Sequence, residues 1–421
     1  MNRLREYFPL TAAGTGLLAM TLASTWVVGA GESDLILLVG GFTILAYLLA
    51  TVGLVVLGAF LARKRVLETE RHDTPLVLQV GCELPTEFCL RVPGWLPFLQ
   101  FSWQWDSPQT AEIQLQASRN RVTEIVKPAR RGEFLEIQRR FVVRDNIHLS
   151  EIAFPSTQTR QVQIFPSAGA GHQLSYLHNL VSGDEIPHPK GDPAGDRVDM
   201  RQYTKGDSPR TILWKVFARS RKLMVKVPER ALAAQPRACC YLVTGHEDEG
   251  AAGVARDIVE SDLLGEGWRF GVDGAAPACN RADSLLALMR SGDKELWQKP
   301  SDLPEFVARA ARDGYGCCFV LTGPDAPDER LQRVRQTLET SPLRVVLCLV
   351  IDGLVWDRPT RFRRLIRSDS GRSGLELDEL EALWNFWSAG RVEARLVDRS
   401  SGEVYRDVGS LLKALRSRQN D

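Results

Sequence analysis

The amino-acid sequence has almost no excess of charge of either sign, with 53 lysine and arginine residues against 52 aspartate and glutamate residues in a chain of 421. Such an even balance gives no reason to expect a general nucleic-acid binder, although a local basic patch remains allowed. Hydrophobic residues make up 44% and charged residues 25% of the chain, an ordinary globular composition. We therefore expect a sizeable core, divided among about two to four domains.

The sequence also lacks any C-x-x-C pair, although it contains eight cysteines. This absence excludes the zinc-ribbon and thioredoxin-like classes. Two pairs of adjacent cysteines, Cys239-Cys240 and Cys317-Cys318, lie inside apolar runs, where a free thiol behaves as a small buried hydrophobe. We expect core thiols rather than a redox or metal site. The remaining cysteines are Cys82, Cys89, Cys279 and Cys348.

Charged residues are missing from two long apolar stretches near the start of the chain, residues 10–30 and 35–60. Each stretch reaches the ~20 residues that a helix needs to cross a bilayer. A cleaved signal peptide is the competing interpretation of the first stretch, but its apolar part is too long and a second stretch follows at once. The pattern predicts a transmembrane helical hairpin within residues 1–66. No charge lies inside either span, so transport or proton relay has no support.

The charges that flank the two stretches predict how this hairpin is oriented. Basic residues stay on the cytoplasmic side of a membrane, whereas the connector, residues 31–34, carries only acids. The connector is therefore expected outside, and everything after residue 62 in the cytoplasm. Cysteines without disulfide spacing agree with a reducing compartment. The flanking basic residues are Arg3, Arg5, Arg63, Lys64, Arg65 and Arg71.

Residues 67–167 consist of short segments in which apolar and polar residues alternate, such as TEFCLRV and AEIQLQAS, separated by turn-like residues. This spacing predicts a β-sandwich-like domain of about seven strands. Its aromatic residues could form a ligand platform, but a core set is favoured because alternate positions of a strand face one side. These aromatic residues are Trp95, Phe98, Phe101, Trp103 and Trp105.

Residues 168–235 begin as a linker rich in Gly, Pro, Asp and His. His172, His178 and His188 match no standard metal-site spacing, so surface or capping roles are favoured. The linker then leads into RQYTKGDSPRTILWKVFARS, residues 201–220. In this segment a turn with capping residues precedes an apolar stripe at helical spacing, which predicts a helix followed by a strand. The stripe consists of Ile212, Leu213, Val216 and Phe217.

Residues 201–219 resemble the signature of the bacterial family known as domain of unknown function 58. That signature runs approximately R-x-Y-x-x-G-D-x-x-R-x-I-x-W-x-x-x-A-R. The resemblance extends over most of the chain, through the two apolar stretches, the β-rich segment with Arg130-Arg131-Gly132, and the later α/β region. A departure is residues 144–149, where the family has an Asp-Pro-Phe-Gly-like turn. The matching residues are Arg201, Tyr203, Gly206, Asp207, Arg210, Ile212, Trp214, Ala218 and Arg219.

The resemblance implies a function without catalysis, since the family has no established enzymatic activity. Its members look like membrane-anchored partners of MoxR-type AAA+ ATPases, often with a von Willebrand factor A-like C-terminal domain. The signature would then be a structural or docking motif, with Asp207 in a charged network and with Tyr203 and Trp214 holding the loop to the next domain. No His or Cys lies within residues 201–220, so a nucleophile with its base is missing there.

Strand-like and helical runs alternate through residues 236–421, and several strands are apolar on both faces. This pattern predicts a parallel sheet covered by helices, in a doubly wound α/β domain of the von Willebrand factor A type. That fold type often binds a divalent metal through Asp-x-Ser-x-Ser, but the matching residues 244–248 read Thr-Gly-His-Glu-Asp. Hard cations need several oxygen ligands, so we expect metal binding to be lost at Thr244, His246 and Asp248.

Three hypotheses follow. The first is a membrane-anchored adaptor or scaffold in the bacterial inner membrane, without a cofactor, that works with a MoxR-type ATPase on client complexes and could form homo-oligomers. The second is a hydrolase or metal-dependent enzyme centred on His246, Glu247 and Asp248. The third is a membrane-linked nucleic-acid binder that uses Arg210, Lys215, Arg219 and a later basic cluster. That cluster, which could also contact anionic lipid or an acidic partner, is Arg358, Arg361, Arg363, Arg364 and Arg367.

Overall fold

The computed structural model is a mixed α/β protein with several separate sheets. It divides into two compact units, Met1–Ser167 and Ala168–Asp421. The residues that the structure describes are 9–26, 35–69, 74–92, 98–109, 111–118, 121–168, 198–204, 212–228, 237–261, 264–265, 267–355, 375–390 and 392–420.

The first unit begins with two apolar helices, α1 (Ala12–Ser24) and α2 (Leu35–Thr69). By length and composition, Leu38–Leu67 within α2 is able to cross a membrane. Helix α1 has 13 residues, about 20 Å at 1.5 Å per residue, which is shorter than the ~30 Å hydrocarbon core. One described helix is thus long enough to cross a membrane, and a second span stays a prediction.

Seven strands follow in the first unit and form two sheets. They are β1 (Leu76–Gln79), β2 (Leu84–Arg91), β3 (Leu99–Ser107), β4 (Ala111–Ser118), β5 (Arg121–Pro128), β6 (Gly132–Asp145) and β7 (Glu151–Phe165). One sheet has the order β1-β7-β6-β3 and the other β2-β5-β4. Buried side chains of both sheets share the same apolar clusters, so the sheets pack face to face as two layers.

The aromatic residues of this unit separate into buried and exposed members. Trp103 and Trp105 are 5% and 6% exposed, which confirms the core interpretation for them. Phe101 is half-buried, whereas Phe98 is 66% exposed, so the core interpretation is wrong for Phe98. The alternation along β3 explains the buried pair, and Phe98 precedes the strand. Trp95 lies outside the described residues.

A buried ion pair links the two sheets. The Arg139 Nε lies 2.9 Å from the Glu124 Oε2, and both side chains are fully buried. Both tryptophans of β3 donate their indole N–H to this carboxylate, from Trp103 at 3.2 Å and from Trp105. The Arg139 Nη1 also donates to Gln158 Oε1 at 2.7 Å. A buried charge needs such partners because desolvation would otherwise be costly.

Helix α2 packs its second half against these sheets. Small or branched residues on one face, including Val55, Ala59 and Val66, are buried with side chains of the sheets. A Cβ added at Gly58 would collide with the Leu99 side chain, so this glycine lets the helix approach closely. The helix therefore runs without a break from its exposed apolar half into the core of the first unit.

The second unit starts with a β-hairpin-like pair, β8 (Val198–Gln202) and β9 (Met224–Pro228), with the short helix α3 (Trp214–Ser220) between them. A larger α/β part follows. Its strands are β10 (Ala238–Leu242), β11 (Arg269–Val272), β12 (Cys317–Thr322), β13 (Arg344–Ile351), β14 (Leu354–Val355), β15 (Leu375–Glu376), β16 (Glu393–Asp398) and β17 (Glu403–Tyr405). Its helices are α4 (Glu249–Glu260), α5 (Arg281–Arg290), α6 (Leu303–Arg312), α7 (Glu329–Thr340), α8 (Leu377–Ser388) and α9 (Val408–Asn420), with a 3-10 turn at Lys294–Gln298.

The main sheet of this unit has the order β11-β10-β12-β13-β16-β17, and all neighbours are parallel except β17. Helices α4 and α5 cover one face and α6 to α9 the other. This arrangement is the predicted parallel sheet between two helical layers, and the finer von Willebrand factor A type stays a prediction. The order reverses between β10 and β12, and α/β proteins bind ligands at the carboxyl ends of such strands.

The cysteines of this sheet lie in its core, as expected for structural thiols. Cys239, Cys240, Cys317, Cys318 and Cys348 are buried and free. Burial raises the pKa of the Cys317 thiol to about 11 and that of Cys348 to about 12. At neutral pH these groups are therefore neutral thiols, which are poor nucleophiles.

Candidate functional site

Asp273 is the centre of a buried polar network at the carboxyl edge of the main sheet. It follows β11 directly, and its Oδ2 accepts hydrogen bonds from the Thr244 N at 2.8 Å and the Thr244 Oγ1 at 3.1 Å. The Tyr241 hydroxyl and the Ser301 hydroxyl donate to its Oδ1 at 2.7 and 2.6 Å. Burial raises the pKa of Tyr241, and the charge of Asp273 adds to the rise. The site analysis of the sequence missed Asp273, although an acid directly after an apolar strand was a usable signal.

Arg330, near the start of α7, supplies the cation of this network. Its Nη2 lies 2.5 Å from the Asp273 Oδ2, and the two side chains are 10% and 3% exposed. The same guanidinium donates to the Thr244 Oγ1 at 3.0 Å and to the Thr244 carbonyl. Asp273 and Thr244, the latter being the first residue of the predicted lost metal position, are thus bound by a cation of the chain itself.

The loops after β10 and β12 fill the crevice at the reversal point. The Asp325 Oδ1 accepts hydrogen bonds from the His246 N at 2.7 Å and the Glu247 N at 2.9 Å. A Cβ at Gly245 would collide with the Asp325 carboxylate, and one at Gly323 would collide with the Glu247 carbonyl. Two glycines therefore allow the loops to close on each other, where other α/β proteins leave room for a ligand.

The three residues of the enzymatic hypothesis, His246, Glu247 and Asp248, differ in exposure and in their contacts. Asp248 is buried, and its Oδ2 accepts a hydrogen bond from the Gly245 N at 2.9 Å. His246 and Glu247 are exposed, and the His246 ring lies 5.2 Å from the Trp297 ring. Within the part of the chain that the structure describes, no group of three or more His, Cys, Asp or Glu side chains is arranged to hold a metal ion.

The described part of the signature pairs with β9 and with the residue that precedes it. The Tyr203 N donates to the Leu223 carbonyl at 2.9 Å, and Ile212 forms an antiparallel bridge with Val225. Helix α3 begins only at Trp214, so the predicted helical stripe is wrong at Ile212 and Leu213. The backbone of Ile212 pairs with Val225, and the Leu213 N donates to the Met224 carbonyl at 2.9 Å. Arg201 lies in β8 opposite Val225.

Helix α3 and the residues after it present an exposed aromatic and basic surface, which we call the α3 surface. Trp214 is 60%, Phe217 36% and Leu223 38% exposed, and the rings of Trp214 and Phe217 meet edge to face at 6.2 Å. The stripe residue Phe217 is therefore not part of a core. The exposed basic residues of this surface are Lys215, Arg219, Arg221 and Lys222, and Ala218 lies among them.

Several predicted site residues fall outside the described residues. They are Gly206, Asp207 and Arg210 of the signature, the histidines His172, His178 and His188, and the basic cluster Arg358, Arg361, Arg363, Arg364 and Arg367. The charged network expected around Asp207 and the lipid contact of the basic cluster stay predictions.

No family model matches the chain, and no curated protein matches it in sequence. The resemblance carried by residues 201–219 therefore stays a prediction.

Proposed function

We propose that the protein is a membrane-anchored adaptor or scaffold that presents the α3 surface to a cytoplasmic partner. The partner that the signature favours is a MoxR-type AAA+ ATPase, acting in the assembly or maturation of client complexes. The exposed pair Trp214 and Phe217 is the observation that carries the proposal. Aromatic residues dominate the binding energy of protein interfaces, and water around an exposed indole is released when a partner covers it.

The charge of the α3 surface defines the chemistry of that partner. Four basic side chains surround the aromatic pair and are exposed. Acidic residues of a partner would complement them and speed the encounter, while the apolar rings would hold the complex. Arginine suits this role because its planar guanidinium forms paired hydrogen bonds with carboxylates. The partner surface is therefore expected to be acidic with an apolar centre.

The apolar helices support the membrane anchor. Residues 35–53 of α2, which come before its contact with the sheets, would extend about 28 Å, close to the ~30 Å thickness of a bilayer core. Large apolar side chains on both helices are exposed, as lipid-facing residues are. The basic residues that flank the predicted hairpin favour a cytoplasmic position for the rest of the chain, and the bacterial inner membrane is the proposed location. The exposed side chains include Met20, Leu22, Trp26, Leu35, Ile36, Val39, Phe42 and Leu49.

The carboxyl edge of the main sheet supports a role without catalysis. Its central acid, Asp273, is neutralised by Arg330 and saturated with hydrogen bonds. The crevice that would admit a substrate or a metal is occupied by Asp325 and the loop after β10. A von Willebrand factor A-like domain with such a closed edge would serve as a rigid platform, and the α3 surface would provide the specific contact.

Affinity purification of the full-length protein from its native membrane, with and without ATP, tests the proposal by mass spectrometry. An AAA+ ATPase should copurify with the wild-type protein, and ATP should change the amount that is recovered. The double variant Trp214→Ala/Phe217→Ala should lose it. Leu135→Ala is the matched control, because Leu135 is apolar and 73% exposed but lies in the first unit.

Two outcomes would contradict the proposal in different ways. If the double variant recovered as much ATPase as the wild type, the α3 surface would not be the binding site for the ATPase. Recovery of no ATPase in either nucleotide state would remove the partnership. Unchanged thermal unfolding of the double variant is the required control, because the lost side chains are exposed and their removal should cost little stability.

A further inference from the structure

The turn between β6 and β7 holds the beginning of the first apolar helix. The Glu151 N donates to the Pro9 carbonyl at 3.0 Å, and the Thr11 N donates to the Leu149 carbonyl at 3.0 Å. The Thr11 Oγ1 adds a hydrogen bond to the His148 carbonyl at 2.6 Å. These contacts fix the point at which α1 leaves this end of the sheets.

Helix α2 passes the same end of the sheets at Gly58. Its close contact there is with Leu99 and Val143, and Leu99 pairs with Asp145 at the last position of β6. The turn and the start of β3 are also joined, since the Asn146 N donates to the Phe98 carbonyl at 3.1 Å. Both apolar helices therefore meet the sheets at one level, which we call the rim and define as Phe98 and residues 146–149.

The rim carries large apolar side chains that the protein does not cover. Phe98 is 66% and Ile147 60% exposed, and Phe60 of α2, two residues beyond Gly58, is 66% exposed. The charged neighbours Arg144 and Glu151 form an ion pair at 3.2 Å and so offset each other. Single exposed apolar residues are common on soluble proteins, but these lie beside the roots of two helices whose exposed faces are apolar.

We propose that the rim is seated in the interfacial layer of the bilayer, with Phe98 and Ile147 among the lipid headgroups and upper acyl chains. The inference rests on the proposed membrane anchor and goes beyond it, because it assigns a lipid contact to the sheets themselves. Residues 35–53 of α2 would cross most of the ~30 Å core, and the rim follows within the next two turns of the helix. Apolar side chains at this depth gain free energy as they leave water.

Leu135 offers a matched position for comparison. It is apolar and 73% exposed, and it lies on β6 ten positions before Asp145. At about 3.3 Å per residue along a strand, it lies about 30 Å from the rim. If any exposed apolar side chain contacted lipid, both ends of β6 would do so equally. If the rim is seated in the bilayer, only the end of β6 at the rim would contact lipid.

Site-specific photo-crosslinking of the full-length protein in phosphatidylethanolamine and phosphatidylglycerol vesicles tests the inference. p-Benzoylphenylalanine replaces Phe42, Phe98, Leu135 or Ile147 in separate samples, and lipid adducts are read by intact mass. Phe42, 65% exposed in the first half of α2, reports the membrane anchor itself. The expected result is lipid adducts at positions 42, 98 and 147, and no adduct above background at position 135.

The other outcomes are distinguishable. Adducts at position 42, with positions 98 and 147 no higher than position 135, would overturn the seated rim and leave the membrane anchor in place. The absence of adducts at position 42 would remove the membrane anchor and the rim together. Equal adduct yields at all four positions would mean that lipid contact is unspecific, which also overturns the inference.

Discussion

Arg330 and Asp273 form a buried ion pair at the carboxyl edge of the main sheet, with 2.5 Å between the Nη2 and the Oδ2. The pair joins the second residue of α7 to the residue after β11, 57 positions apart in the chain. In this position the arginine does what a bound cation would do elsewhere, because it neutralises the carboxylate and fixes the Thr244 loop. The edge is thereby held closed by the protein's own charges.

Replacement of Arg330 by methionine should therefore destabilise the second unit. The variant keeps much of the side-chain volume but leaves the Asp273 carboxylate buried without its cation. Removal of one partner of a buried pair costs about 3–5 kcal/mol. Urea unfolding of the detergent-solubilised protein measures the change.

A control and a rescue sharpen this test. Arg333→Met removes an exposed pair with Glu329 on the same helix, at 3.9 Å, and should change the unfolding free energy by less than about 0.5 kcal/mol. The double variant Arg330→Met/Asp273→Asn should recover part of the loss, since no buried charge remains. A loss in Arg330→Met no larger than in Arg333→Met would show that the pair does not hold the edge.

The core pair Glu124 and Arg139 leads to an analogous expectation for the first unit. Glu124→Gln leaves the Arg139 guanidinium fully buried without its carboxylate, so a cost of about 3–5 kcal/mol is expected. Because both indoles of Trp103 and Trp105 donate to Glu124, the tryptophan emission of the folded state should also shift. Asp106→Asn, which removes the half-exposed partner of Arg140 at 3.0 Å, is the control and should change neither quantity appreciably.

The sequence predicted the layered parts of the fold because hydrophobic periodicity reports which face of an element is buried. The alternation in residues 67–167 and the fully apolar strands around Cys239 and Cys317 are such patterns. The sequence did not predict the buried ion pairs Arg330–Asp273 and Arg139–Glu124. Periodicity does not reveal which charged side chains meet across different helices and strands. Ile212 is the opposite case, where a helical period was present but pairing with Val225 determined the backbone. The exposure of Phe217, a residue of the predicted stripe, does not follow from the sequence either, since exposure depends on neighbours that are distant in sequence.

Asp325 should make stability depend on pH in the acid range. Burial raises the pKa of its carboxyl, and although hydrogen bonds from the Glu247 and His246 amides oppose the rise, the charge of Asp248 adds to it. The folded state therefore holds the proton to a higher pH than the unfolded chain does. Between the ordinary pKa and the raised one, stability falls as pH rises, and above the raised value the loss stays constant.

Asp325→Asn checks this dependence because the amide oxygen still accepts both backbone hydrogen bonds but does not titrate. As the pH rises from the ordinary pKa of an aspartate to the raised pKa of Asp325, the unfolding free energy of the variant should increase relative to that of the wild type. The difference should persist at neutral pH. Unfolding free energies measured between about pH 3 and pH 7 test it. A wild type that gains on the variant with rising pH would mean that the carboxylate, rather than its protonated form, is the one the loop stabilises.

Gly323 provides the most direct test of the closed crevice. A Cβ at this position would lie within 3.0 Å of the Glu247 carbonyl carbon and the Asp248 Cα. Backbone atoms do not yield as a flexible side chain does, so Gly323→Ala should cost about 1–3 kcal/mol in unfolding free energy. It should also speed hydrogen exchange at the His246 and Glu247 amides, because the loops must separate to admit the methyl group.

Gly409→Ala is the matched control for this substitution. Its new Cβ would meet only the Asp407 Oδ1, at 3.3 Å. This atom needs to shift by only a few tenths of an ångström and can keep its hydrogen bond from the Ser410 N. Alanine is also favoured over glycine in a helix by up to about 1 kcal/mol. The control should therefore be neutral or stabilising in the same unfolding measurement. If Gly323→Ala were equally harmless, with unchanged exchange at both amides, the two loops would not touch in the folded protein. The edge of the sheet would then be open, and an enzyme centred on His246, Glu247 and Asp248 would again compete with the adaptor.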